Sequence, residues 1–195
     1  ATITLDGPGD MSFGGDWDLG GRNLTMDIAS DRTVTLSGAM TGTRSLTQSG
    51  DGNLVLAGTG GTNYGVLPEG GTLVLAGEYA DAGVGGRALQ FKSGPVEVVL
   101  ASDSNQAFGG DGTDWFFQTE STTTIRSIDE QTRRIASRLW FRDSRNPFAV
   151  LHVTGEVDVE FQGGLYTDVS RRGIDFNFDA GLNAIVSGPV VGDVE

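Results

Sequence analysis

Cysteine is absent from the 195 residues, and histidine occurs once, at His152. That excludes thiolate chemistry, Cys/His zinc sites and any histidine pair. Proline holds five positions, and lysine a single one, Lys92, beside 12 arginines. Positive charge is short overall: 13 Lys and Arg face 26 Asp and Glu, for a formal net charge of −13. Nucleic acid and anionic membrane surfaces are poor partners for such a chain. No apolar run nears the roughly 18 residues of a membrane helix. Nor does a series of about ten-residue amphipathic strands mark a membrane β-barrel.

Glycine is what the chain has in excess. It fills 31 positions, more than twice the average share of about 7%. It keeps no strict three-residue period, so collagen is out. The apolar fraction, 37%, is too high for a disordered chain. The length fits one domain spanning 1–195.

The glycines punctuate a repeat. Gly52-Asn53-Leu54-Val55-Leu56-Ala57-Gly58 returns 19 residues later as Gly71-Thr72-Leu73-Val74-Leu75-Ala76-Gly77. Thr33-Val34-Thr35-Leu36-Ser37-Gly38 is the same unit 20 residues earlier, and a weaker copy ends at Ser93-Gly94. Each unit is a short alternating strand closed by glycine, with Leu54 and Leu56 on one side and Val55 and Ala57 on the other. So short a unit cannot bury its apolar face alone; stacked copies do, with strands about 4.8 Å apart. The expectation is an all-β chain coiled into a parallel β-helix, or β-solenoid, with rungs of about 20 residues. About nine rungs would make a rod on the order of 40 Å long. Strands are expected at 34–36, 54–56, 73–75, 96–100, 157–161 and 174–178. Leu36, Leu54, Leu56, Leu73, Leu75, Phe161 and Phe176 are expected inside.

A longer repeat links the two end segments, 7–38 and 155–188. Gly7-Pro8-Gly9-Asp10-Met11-Ser12-Phe13 resembles Gly155-Glu156-Val157-Asp158-Val159-Glu160-Phe161, and Arg22 to Ile28 resembles Arg172 to Phe178. This pattern is expected of a stretch from a longer array of blocks, stacking end to end on adjacent blocks or on copies of itself.

The run from Thr35-Leu36-Ser37-Gly38 through Leu46-Thr47-Gln48-Ser49-Gly50-Asp51-Gly52 to Leu54-Val55-Leu56-Ala57-Gly58 resembles the autotransporter-associated β-strand repeat of bacterial surface proteins. The segment 70–77 supplies that family's second glycine-closed strand, and only Thr62-Asn63-Tyr64 echoes its usual asparagine-threonine-tyrosine turn. The resemblance implies a right-handed parallel β-helix that is extracellular or displayed on the bacterial cell surface.

Residues 126–145 stand apart, with six arginines against Asp129, Glu130 and Asp143. Ser127 and Glu130 form a capping box, and Ile128, Thr132, Ile135 and Leu139 have helical spacing. The competing reading is a strand with Ile135, Leu139 and Phe141 inward. Solenoid context favours the strand. Its outward Arg134, Arg138 and Trp140 are the candidate ligand surface, suited to an acidic glycan or the acidic face of a neighbour.

Other motifs are weighed against simpler roles. Gly109-Gly110-Asp111-Gly112-Thr113-Asp114 fits one turn of a calcium-binding β-roll, with Asp111 and Asp114 as the ligands. One copy supplies half of each site, so no cofactor is expected. Asp10, Asp16 and Asp18 sit on polar turns with no flanking aromatic wall, and no catalytic set is expected. The threonine pairs Thr33/Thr35 and Thr122/Thr124 suggest the flat ladder of an ice-binding face, but Asn53/Val55 and Thr72/Val74 break it. His152, between Leu151 and Val153, is expected to point outward. The expected function is an extracellular structural or interaction module: a rigid spacer, filament or adhesin segment. The alternative is a carbohydrate-binding or carbohydrate-cleaving β-helix, favoured by a groove with two or more exposed aromatics among Trp17, Tyr64, Tyr79, Trp115, Trp140 and Tyr166.

Overall fold

The computed structural model describes residues 1–59, 65–76, 89–92, 94–101, 114–118, 122–128, 132–141, 149–167 and 174–192. Among them there are only strands, turns and bends. The chain opens with β1 (Thr2–Leu5), β2 (Met11–Phe13), β3 (Trp17–Asp18), β4 (Leu24–Ile28), β5 (Thr33–Leu36) and β6 (Met40–Thr41). Next come β7 (Leu46–Ser49), β8 (Asn53–Leu56), β9 (Val66–Pro68), β10 (Thr72–Leu75), β11 (Leu89–Phe91) and β12 (Pro95–Leu100). Then follow β13 (Asp114–Phe117), β14 (Thr122–Ser127), β15 (Arg133–Ile135), β16 (Arg138–Phe141) and β17 (Ala149–Gly155). The last five are β18 (Val159–Phe161), β19 (Leu165–Thr167), β20 (Ile174–Phe178), β21 (Ala184–Val186) and β22 (Val190–Val191).

These strands stack in parallel sheets. Sheet A has nine, in the order β1-β4-β7-β9-β11-β13-β16-β19-β22. Sheet B has eight, β2-β5-β8-β10-β12-β14-β17-β20. A third side carries the pair β3-β6 near the N-terminus and β15-β18-β21 near the C-terminus. The chain thus winds from A to B to the third side and back to A. It is a parallel β-solenoid, as the repeat implied.

The alternation in each strand explains the winding. In β5, β8 and β10 every second residue is a buried Val or Leu and its neighbours are half-exposed. In register these residues make continuous inward columns. One runs from Met11 through Val34, Leu54, Leu73, Val98, Ile125 and Val153 to Phe178. Each fully buried Val or Leu contributes about 1.5–3 kcal/mol. Because any one rung buries only half its apolar surface, the stack is the stable unit.

Glycine is required where rungs turn close together. Gly71 has φ +64°, and a Cβ there would run into the carbonyl of Gly52 one rung below. Gly155 (φ +121°) approaches Ser127 in the same way.

Four expectations need correction. The short rung expected throughout holds only where the repeat is legible: Thr33 pairs with Asn53, and Asn53 with Thr72. Farther on Thr72 pairs with Glu97, Pro95 with Thr122 and Thr122 with Val150, so each later coil takes up more chain than the repeat unit supplies. Residues 126–145 contain no helix among those described and do form strands, with Ile135, Leu139 and Phe141 inward as the strand reading expected, but divided among the end of β14, β15 and β16 and not one continuous strand. The run turns a corner between β15 and β16, so Arg133 and Ile135 face inward on one side of the coil and Leu139 and Phe141 on the next. Phe176 is half-buried, because β20 is the last described strand of its sheet. The expected strand 157–161 starts only at Val159, and the other expected buried residues are inside.

The two matched end segments fall on different sides of the coil. Met11–Phe13 lies in sheet B and its match Val159–Phe161 on the third side; Leu24–Ile28 lies in sheet A and its match Ile174–Phe178 in sheet B. What they share is a local device. The amide of Thr33 donates to Asp10 Oδ1 at 2.9 Å, and that of Asn183 donates to Asp158 Oδ1 at 2.9 Å. In both, an acid just before a strand fixes the start of the strand stacked on it.

Candidate functional site

Arg138 and Trp140 of the expected ligand surface share the outer face of sheet A. The alternation of β16 puts Leu139 and Phe141 inside and these two outside. Register brings Phe116 of β13 below Trp140 and Tyr166 of β19 above it. The Trp140 and Tyr166 rings lie 5.7 Å apart at 8°, and Phe116 and Trp140 lie 6.1 Å apart at 24°. Both pairs are stacked, so Trp140 has an aromatic neighbour on the rung below and another on the rung above. Arg138 Nε donates to Asp114 Oδ1 at 2.6 Å, and its guanidinium lies 5.8 Å from the Trp140 ring centre and 5.6 Å from that of Tyr166. Cation–π attraction and the buried Asp114 carboxylate hold the arginine along the strip. Trp140 Nε1 is buried without a hydrogen-bond partner.

Arg134 belongs to a different sheet. It faces Glu160 (Nε to Oε2, 3.4 Å), which also accepts a 2.6 Å bond from Ser187 Oγ. The structure therefore splits the candidate surface between two sides of the coil. Asp111 lies outside the described residues. Among those described, no group of three or more His, Cys, Asp or Glu could hold a metal ion.

Elsewhere, polar side chains on the outer faces bind the neighbouring rung. On sheet B, Asn53 Nδ2 donates to Thr33 Oγ1 at 3.3 Å. Glu97 accepts from Thr72 Oγ1 at 3.2 Å and from Arg126 Nε at 2.7 Å. His152 does point outward, and its Nε2 lies 3.2 Å from Asp179 Oδ1. Asp16 accepts the Ala39 amide at 2.9 Å and Asp18 that of Gly20 at 2.8 Å, so both carboxylates order turns. Trp115 is buried in the core, and Trp17 packs edge-on against Phe13. Tyr64 and Tyr79 lie outside the described residues. Sequence reasoning missed Phe116, whose only signal was its place one rung before Trp140 and two before Tyr166.

At the C-terminal end, no described strand follows β20 or β21 in its sheet. Phe161, Leu165, Phe176, Phe178, Ala184 and Val186 surround an apolar cavity of about 420 Å³. Val190 and Val191 of β22 are exposed beside it.

These features define a β-helix repeat protein. No protein-family model matches the chain, and neither a curated protein nor a solved structure matches it.

Proposed function

We propose that the chain is a structural module: a rigid β-helix spacer or filament segment of an extracellular or bacterial surface protein, of the kind that carries autotransporter-associated repeats. The observation carrying this reading is the direction of the surface contacts. Asn53, Glu97, Arg126, Arg134, Arg138, His152 and Asp158 all bond to a residue of an adjacent rung. Side chains on the outer faces, where a ligand would be met, instead brace the coil along its length.

Rigidity is directly measurable, because a chain without cysteine can be labelled cleanly. Spin labels on cysteines placed at Ser12 and Asn177 lie seven strand steps apart in sheet B, about 34 Å along the axis. A narrow distance distribution near that value is expected. A broad one sinks the spacer reading.

The carbohydrate-binding alternative draws on the strip itself, which puts Trp140, Tyr166 and Arg138 on one face. A sugar ring stacks on an aromatic face, however, and Trp140 is already stacked with Phe116 on one side and Tyr166 on the other. Titration with neutral and acidic oligosaccharides, using Trp140→Ala as the control, tests it: saturable heat lost in the variant would favour this alternative.

A further inference from the structure

The inward column that begins at Met11 ends at Phe178. Its six inner members are at most 1% exposed, whereas Met11 is 46% and Phe178 42% exposed. Among the described strands, β2 and β20 are the two edges of sheet B, so each exposed end of this one apolar column lacks a stacked neighbour there. From this we infer that the Phe178 end receives the Met11 end of a second copy, so that copies join head to tail in one continuous solenoid.

The strand order fixes how the joint is made. A following copy sets its β2 on β20 and its β3 on β21, which continues sheet B and the third side. Its β1 must then sit on β19, an edge already taken by β22. Sheet A has nine strands where sheet B has eight, and β22 is the extra one. It is two residues long, and Val190 is 72% exposed. β22 is thus a displaceable cap: β1, with four residues and inward-facing Ile3 and Leu5, replaces it and brings more apolar surface to the joint. Met11 of the second copy fills the cavity beside Phe178. The contact is heterologous, so it propagates instead of closing on a symmetric pair.

This inference rests on the structural-spacer reading, and its test is separate from the rigidity measurement, which uses dilute monomer. In the joined state Ser12 of one copy follows Asp179 of the other in an outward column of sheet B, at the strand spacing a disulfide spans. Ser12→Cys and Asp179→Cys chains are mixed and oxidised in about 0.5 M salt, which screens the net charge of −13. A mixed disulfide is expected to form much faster than either homodimer. Phe178→Asp in the Asp179→Cys chain should abolish it with the circular dichroism unchanged. Should that variant unfold, Met11→Asp in the Ser12→Cys chain tests the same joint from the other side. Val191→Pro, which cannot hold a ladder, should speed cross-linking by freeing the edge of β19. A mixed disulfide no faster than the homodimers overturns the joint, and slower cross-linking in Val191→Pro overturns the cap.

Discussion

The N-terminal and C-terminal coils enclose their interiors differently. Around β5, β8 and β10 the sheet-B strands have four residues, each strand follows closely on the last, and Val and Leu fill the inside. Around β12, β14 and β17 the strands have six, six and seven residues. An extra inward column appears there, from Val96 through Thr123 and Leu151 to Phe176. The wider interior is filled by Trp115, Phe117, Phe141 and Phe161. Longer sheet-B strands add inward-facing positions, and protein interiors are filled to nearly constant density, so the widened face is matched by larger side chains. The outer surface changes in step. The narrow coils use Thr, Asn and turn carboxylates, while the wide ones use arginine ion pairs and stacked rings.

The largest effect should come from emptying the wide interior. Phe117 is stacked at 4.6 Å on Phe91 and 4.7 Å on Phe141, so Phe117→Ala should cost about 3–5 kcal/mol in urea unfolding. Leu54→Ala should cost less; an equal or greater loss there breaks the contrast. Next comes Gly71→Ala, with both a left-handed φ and the carbonyl of Gly52 against it, at about 2–3 kcal/mol. A neutral substitution would mean the short rungs are not held at their closest approach. Filling is the third test. Leu54→Phe should destabilise by about 1–3 kcal/mol in the narrow coil, with Leu139→Phe tolerated better in the wide one. The reverse order of melting temperatures contradicts the volume argument. The smallest effect belongs to Glu97 and Arg126. Their side chains are part-exposed, so a double-mutant cycle should give a coupling below about 1 kcal/mol that shrinks with added salt.

Most of what the sequence revealed lies in sheet B. The expected strands at 34–36, 54–56, 73–75, 96–100 and 174–178 all fall there; the first four carry inward Leu and Val, and the last alternates Ile and Phe with polar residues. Sheet A escaped notice although it is longer. One inward column does repeat, from Leu24 through Leu46, Val66, Leu89, Trp115 and Leu139 to Leu165, but the next inward place holds residues as unlike as Met26, Gln48 and Pro68, so no alternating pair recurs from rung to rung. Gln48 alone would defeat a hydrophobic pattern: it is fully buried, and its Nε2 donates to the carbonyls of Gly52 and Thr72. The candidate surface was half legible. Alternation places Arg138 and Trp140 outward, but the corner that separates them from Arg134 depends on Ala136 and Ser137, and no period marks it. Phe116 and Tyr166 joined the strip only through register, which spans longer rungs than the repeat advertised.

Every pairing among the described strands joins one strand to its counterpart a single rung farther along the chain. Forming each new rung therefore closes a loop of similar size and meets nearly the same entropic barrier, since that barrier grows only with the logarithm of loop length. The first two rungs meet it with one apolar surface between them, whereas each later rung lands on a template already in place. Folding should then advance as a front after a slow start. Tension applied to the chain ends should reverse it, peeling one terminal rung at a time. Each event would release about 65–95 Å of extended chain while shortening the rod by only about 5 Å. A pulling trace would then show a ladder of small, nearly even steps, and the later C-terminal rungs would give the longer ones.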